Sequence, residues 1–293
     1  LLRDETEALR RIRLVAVDLD GTLLNSKGGP SWHTRTVVRK ASKYGVSVAI
    51  ASGRSSFNTS RIAWWVGARG PQIAVNGAHV LSPNARHDWQ FIPMQADALK
   101  ALLSMLRRIG ATFEATLRGR VAVERPLVPG RRARPPGLRV LSGFLGLTVA
   151  APVTVLPEGA VDDLAGEVAK IYTDAPPDKV KVVMEAVERD FGGVLRSVIT
   201  RTHAGETLLE IMDASVNKGQ ALLMAGERLG LAREEIAAIG DGNNDVEMIE
   251  AAGVGVAMAN AAPRLAHAAD CFTLSCDDDG VAHFLEQVYR AKG

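Results

Sequence analysis

Cysteine is nearly absent from the 293 residues: only Cys271 and Cys276 occur. Two cysteines are too few for a disulfide framework, and there is no second pair to complete a zinc site. A reducing, cytoplasmic setting is the expectation. No apolar run reaches the roughly 18 residues needed to cross a bilayer, so no membrane partner is expected. The opening stretch, LLRDETEALRRIR, mixes acids and arginines, a pattern unlike a signal peptide's charged start and apolar core. Charge of neither sign dominates. With a net charge of +2 and 23% charged residues, the chain offers no bulk reason to expect a nucleic-acid partner.

What is present is apolar material in ordered rhythm. Hydrophobic residues make up 47% of the chain, enough for one large domain or two modest ones. After a short charged helix, LVAVDLD (14–20) has the continuous apolar run of a buried strand. RTVVRKASKYG (35–45) then carries helical spacing up to a glycine, VSVAIAS (46–52) is a second strand, and a helix over 56–66 leads to a strand in QIAVNGAHVL (72–81). The rhythm returns after residue 212. Helix 216–231, strand 235–240, helix 244–253, strand 254–259, helix 261–269, strand 270–275 and a last helix over 280–290 follow one another. Apolar strands alternating with helices predict a doubly wound, Rossmann-like α/β core with a parallel sheet covered on both faces.

The middle differs. Segments 96–110, 161–172 and 176–193 carry helical spacing, whereas 194–200 and 207–213 read as strands, so an inserted α+β module is expected. The expected division is 1–83 with 213–293 for the core, and 84–212 for the insert. Within 117–140, seven arginines face the single acid Glu124 among prolines and glycines, which predicts a basic loop.

Two carboxylates one residue apart, Asp18 and Asp20, follow the first strand and precede Gly21. They repel in any compact site unless a positive group or some chemistry requires them together. A carboxylate with a pKa of about 3.9 is ionised at neutral pH and can attack phosphorus without an activating base. Its neighbour can then move protons. Gly21 allows a tight turn that brings both groups to the carboxyl edge of the sheet, where open α/β folds bind ligands. An EF-hand loop is excluded, because Thr22 and Leu23 occupy the positions where a ligand and a glycine are required. A purely structural Asp-Gly turn stays open at this point.

A second constellation lies in AIGDGNNDVEM (238–248). Gly240 and Gly242 imitate a dinucleotide-binding loop, but Asp245 stands where the third glycine belongs, and two carboxylates would face a pyrophosphate. Asp241 and Asp245 suit magnesium instead, which takes hard oxygen ligands. Two single residues complete the set. Ser52 sits at the end of strand 46–52 with a hydroxyl and backbone N–H groups for a phosphate, and Lys218 stands at a helix start, which favours an anion.

The order Asp-Leu-Asp-Gly-Thr, Ser, Lys, Gly-Asp-Gly-Asn-Asn-Asp resembles the haloacid dehalogenase superfamily. The long insertion resembles its Cof-type subgroup, IIB, with a C2 cap. The likeness runs from about Leu14 to Val288 and is weakest over 84–160. It implies that Asp18 is a nucleophile forming an aspartyl-phosphate and that Asp20 protonates the leaving oxygen and then activates water. It also implies Mg²⁺ held by the Asp18 carboxylate, the Asp20 backbone carbonyl and Asp241, with Asp245 steadying the metal. Ser52 and Lys218 would bind the transferring phosphoryl group, with Gly53, Arg54 and Asn244 on the same edge.

Departures are small: Ser52 replaces the usual threonine, and Ala259 stands where the family tends to carry glycine. The resemblance implies a Mg²⁺-dependent phosphatase of a small phosphorylated metabolite, such as a sugar phosphate or a phosphorylated cofactor precursor. A phosphomutase and a catalytically silent phosphometabolite-binding protein are the alternatives, and a homo-oligomer stays open. The six histidines show no metal-ligand spacing and read as surface or helix residues. Trp64 and Trp65 are expected to pack a helix against the sheet, with contact to a substrate as the alternative, and Asn76, in Asn-Gly-Ala, reads as a turn residue, while the resemblance also allows it a role at the hinge or substrate edge.

Overall fold

The computed structural model describes residues 3–124, 151–173, 177–201 and 207–293. They begin with α1 (Arg3–Arg11), β1 (Leu14–Val17), α2 (Trp32–Lys40), β2 (Ser47–Ala51), α3 (Ser56–Val66), β3 (Gln72–Ala74), β4 (His79–Leu81) and β5 (Asp88–Phe91). Then come α4 (Ala96–Arg108), β6 (Phe113–Thr116), β7 (Val121–Glu124), β8 (Val153–Leu156), β9 (Lys170–Thr173), α5 (Pro177–Phe191), β10 (Leu195–Arg201) and β11 (Thr207–Asp213). The chain closes with α6 (Lys218–Arg228), β12 (Ile236–Gly240), α7 (Val246–Ala251), β13 (Val254–Ala257), α8 (Pro263–Ala268), β14 (Cys271–Phe272) and α9 (Gly280–Lys292).

Two compact units emerge: Leu1–Gln90 with Asn217–Gly293, and Phe91–Val216. The junctions fall a few residues beyond 83 and 212, because β5 extends the first unit's sheet and β11 belongs to the second's.

The first unit holds an eight-stranded sheet in the order β14-β13-β12-β1-β2-β3-β4-β5. Neighbours from β14 to β3 run parallel, and β4 turns back antiparallel on β3. Alternate residues of a strand point to opposite faces, so a continuous apolar run serves two cores at once. Val15 and Val17 pack with α1, α2, α3 and α9, whereas Leu14 and Ala16 pack with α6, α7 and α8. Helix starts are set by side chains that accept otherwise unpartnered N–H groups. Ser31 Oγ accepts from Thr34 N–H at 2.9 Å, and Asn217 Oδ1 from Gln220 N–H at 2.7 Å.

The second unit has a six-stranded sheet, β10-β11-β9-β6-β7-β8, with every pair antiparallel except β7 and β8. Leu99, Leu102, Leu103 and Leu106 of α4 and Val180, Val183 and Val187 of α5 bury one face of it. Arg107 ties this layer down with a fork onto Glu124 at 2.7 and 3.0 Å and a bridge to Asp162 at 3.0 Å.

Several local expectations are corrected. Segment 161–172 is not a helix: a single turn over Asp162–Leu164 is followed by β9. Gly166, at φ +93°, interrupts the run, and β9 is paired on both edges by β6 and β11. The stretch 72–81 is two strands, not one, and helix 244–253 shortens to α7 behind a tight turn over Asn243–Asp245. Within the expected basic loop, Val121–Glu124 is strand, and residues from 125 to 140 lie outside the described residues. Trp64 is 83% exposed, whereas Trp65 lies against the core with Arg35 stacked 4.5 Å over its ring. His79 is buried rather than on the surface, with Nε2 3.0 Å from Asp88.

Candidate active site

Strands β12, β1 and β2 are consecutive in the sheet, so the residues that follow them share one edge. Asp241, Asp18 and Ser52 are the first residues beyond these strands. Asp18 is held by its N–H on the Ile239 carbonyl at 3.0 Å, and Ser52 by its N–H on the Ile73 carbonyl at 2.8 Å. Beyond Asp18 the chain reverses at Gly21, whose φ is +84°, a region where L residues are strained. A β-carbon at Gly21 would collide with the Asp241 carboxylate. The turn is therefore glycine for two reasons, its conformation and the close approach of that carboxylate.

Lys218, the first residue of α6, reaches under this edge. Its Nζ donates to Asp18 Oδ1 at 2.5 Å and to Asp245 Oδ1 at 2.6 Å, and the lysine is 1% exposed. The second oxygen of Asp245 accepts the backbone N–H groups of Asp241 at 3.2 Å and Gly242 at 3.0 Å. One buried carboxylate thus orders the loop after β12 and anchors the lysine. On the outer side, Arg54 forks onto Asp20 with Nε at 2.8 Å and Nη2 at 2.5 Å.

Carboxylates outnumber cations here. Asp18, Asp20, Asp241 and Asp245 face Lys218 and Arg54, which leaves two formal negative charges. Burial pushes the Asp18 carboxyl well above its ordinary range, Asp245 adds to this, and Lys218 opposes it. Asp241 is pushed up to about 7, by burial first and by Asp245 second. For Lys218, burial pulls the ammonium's pKa down, but Asp18 and Asp245 outweigh it and the net shift is upward. Arg54 behaves alike, with Asp20 outweighing burial. Asp18, Asp241 and Asp245 each bring a carboxylate oxygen within 4.8 Å of the others. A hard dication would cancel the two surplus charges and take such oxygens as ligands, so the residues present fit Mg²⁺.

The model of the haloacid dehalogenase-like hydrolases matches residues 15–285. The chain belongs to that family, in the Cof-type group. The hydrolase is 30% identical to Phosphatase YwpJ of Bacillus subtilis, across 94% of its own chain and 100% of the relative's. It is 26% identical to the 5-amino-6-(5-phospho-D-ribitylamino)uracil phosphatase YwtE of the same organism, covering 94% and 98%. Its fold superposes on a haloacid dehalogenase-like hydrolase from Bacteroides thetaiotaomicron with a TM-score of 0.80, at 25% identity and 94% and 99% coverage.

The hydrolase's motif residues converge within its first unit: Asp18, Asp20, Ser52, Gly53, Arg54, Lys218, Asp241, Asn244 and Asp245 all belong to it. Arg54, expected on this edge, pairs with Asp20. Ser52 is 1% exposed, and its Oγ accepts the Arg54 N–H at 3.1 Å. Three polar residues make contacts that the sequence did not foretell. Thr22 Oγ1 donates to Asp241 Oδ1 at 2.9 Å, and Asn260 joins two loops by donating to the Gly21 carbonyl at 2.8 Å and accepting from Cys276 N–H at 2.9 Å. Asn76 Oδ1 accepts from Asn244 Nδ2 at 3.2 Å. Thr22 was legible as the residue after Asp-Gly, whereas the other two needed loops brought together from distant sequence. Among the described residues, no helix is long and apolar enough to cross a membrane.

Proposed function

We propose that the protein is a Mg²⁺-dependent phosphatase that hydrolyses a phosphate monoester of a small metabolite through an aspartyl-phosphate on Asp18. The observation that carries this is the convergence of Asp18, Lys218, Asp241 and Asp245 at one strand edge with Asp20 and Ser52 beside them. The phosphatase names of YwpJ and YwtE support it.

An Asp18 oxygen attacks phosphorus and the bond from phosphorus to the ester oxygen breaks. Asp20 gives that oxygen its proton, so the alcohol leaves neutral. Asp20, now a carboxylate, takes a proton from water as the water oxygen attacks the phosphorus. The bond from phosphorus to Asp18 breaks, and inorganic phosphate and the free carboxylate are restored. Lys218 and the N–H groups after Ser52 offset negative charge on the phosphoryl oxygens. Asp18, the Asp20 backbone carbonyl and Asp241 would hold Mg²⁺, with Asp245 in support, and the bound ion would supply positive charge against the phosphoryl oxygens. Arg54 exchanges Asp20 for the incoming phosphate, which frees the Asp20 carboxylate to take up from solvent the proton that it gives to the leaving oxygen.

The substrate class is a small phosphorylated metabolite, such as a sugar phosphate or a phosphorylated cofactor precursor. The deciding experiment is phosphate release from a panel of such esters, with and without Mg²⁺, beside Asp18→Asn. Turnover of at least one ester that needs Mg²⁺ and vanishes in Asp18→Asn is the expected result. No ester hydrolysed above the Asp18→Asn background would overturn the reading, and strict dependence on a bisphosphate activator would turn it into a mutase.

A further inference from the structure

Between β3 and β4 three consecutive residues take positive φ: Val75 at +53°, Asn76 at +54° and Gly77 at +106°. Glycine adopts this region freely and asparagine tolerates it, but a β-branched residue there is a true outlier. Such strain persists only where the surroundings over-determine the backbone, and it gathers at functional sites. The surroundings here are the loops of the active site. Val75 N–H donates to the Arg54 carbonyl at 2.9 Å and Asn76 N–H to the Ser52 carbonyl at 3.0 Å. A β-carbon at Gly77 would run into the Asn217 backbone, directly before Lys218. The Asn76 side chain, buried with the turn, accepts from Asn244.

One strained turn therefore touches three motif loops that are remote in sequence: 52–54, the start of α6, and 242–245. We infer that Asn76 is a positioning residue. Its left-handed backbone holds the Ser52 loop in place, and its side-chain oxygen orients the Asn244 amide toward the phosphoryl site. Asn76 would thus act on phosphate binding through Asn244 without touching the reacting atoms. The inference rests on the phosphatase reading only in treating these loops as phosphoryl-binding.

The test is a coupling measurement. Inorganic phosphate binding in the presence of MgCl₂ is measured by calorimetry for the wild type, Asn76→Gly, Asn76→Asp, Asn244→Ala and the two double variants. Kinetics with p-nitrophenyl phosphate and thermal melts accompany it. Glycine keeps the left-handed backbone and removes the side chain, whereas aspartate keeps the accepting oxygen. Asn76→Gly and Asn244→Ala should each weaken phosphate binding and raise KM by about tenfold, the worth of one well-placed hydrogen bond. In both, kcat should move far less, and the melting temperature should stay near the wild-type value.

Asn244→Ala should cost nothing further in the Asn76→Gly background, yet still cost about tenfold in the Asn76→Asp background. That comparison cancels the charge that aspartate adds, and it stands even if Asn76→Gly fails to fold. Multiplicative losses in the glycine background, no loss in the aspartate background, or a wild type that binds no phosphate each overturn the inference. If the wild type binds phosphate yet hydrolyses no ester, the phosphatase reading fails and the coupling is still decided by the binding constants.

Discussion

Lys218 Nζ and Asp18 Oδ1 are separated by 200 positions in the sequence and by 2.5 Å in the fold. With Asp245 on its other side, the ammonium is held between two carboxylates, and none of the three side chains has appreciable access to water. Removing one member of a buried ionic cluster strands the others, at a cost of about 3–5 kcal/mol. Lys218→Met should therefore lower unfolding free energy by that order and reduce kcat/KM by about 10³. Adding Asp245→Asn should recover part of the stability and none of the activity. Denaturant unfolding of the single and double variants checks this, and equal stability for Lys218→Met and wild type would count against a charged cluster.

Asp18 and Asp20 should separate by substitution. Asp18→Asn removes the attacking oxygen's charge and should leave no measurable turnover. Asp20→Asn retains the nucleophile and should bind a phosphate ester while hydrolysing it about 10²–10⁴ times more slowly, the usual worth of a positioned proton donor. Rapid-quench assays would look for phosphoenzyme, and undiminished turnover by Asp20→Asn would remove it from the proton-transfer role.

Gly21 carries two constraints, a φ of +84° and the Asp241 carboxylate beside its missing side chain. Gly21→Ala should displace Asp241 and raise the Mg²⁺ concentration for half-maximal activity by about 10–100-fold, as loss of a group supporting a metal ligand does. It should also destabilise the fold by about 1 kcal/mol or more. A Mg²⁺ titration alongside thermal melts separates the two effects, and an unchanged Mg²⁺ requirement would argue against Asp241 as a ligand.

Glu235 offers a pH prediction away from the site. Its carboxylate accepts the Ala232 N–H at 2.9 Å and the Arg13 guanidinium at 3.2 Å, and together these hold it below the usual carboxylate range. A pKa lower in the folded than in the unfolded state stabilises above the unfolded value and is lost as pH falls through the folded one. Glu235→Gln should therefore melt slightly below wild type at neutral pH, and the gap should close on acidification. A gap that persists into acid would point to packing rather than charge.

Much of the fold was legible because its signals are local. Continuous apolar runs marked β1, β2 and β12 since each strand must satisfy two cores, and helical spacing marked α4, α5 and α6. The reading failed where a local signal was ambiguous. Val161, Leu164, Ala165, Val168 and Ile171 have helical spacing, and all of them face the second unit's core, but as a turn and a strand. That choice belonged to β6 and β11, whose pairing with β9 no local pattern reports. In QIAVNGAHVL the Asn-Gly pair signals a turn, yet the apolar residues on both sides of it read as one strand where the structure has two.

The sequence alone named the carboxylates, Ser52 and Lys218 of the candidate site, because their order and spacing resemble the motifs of one family. Only the tertiary structure decided the partnerships: Lys218 between Asp18 and Asp245, Arg54 on Asp20, and Asn76 against Asn244. The order of strands β12, β1 and β2 in the sheet sets which loops become neighbours. Electrostatics in a buried site then depends on distances of a few ångströms between residues remote along the chain.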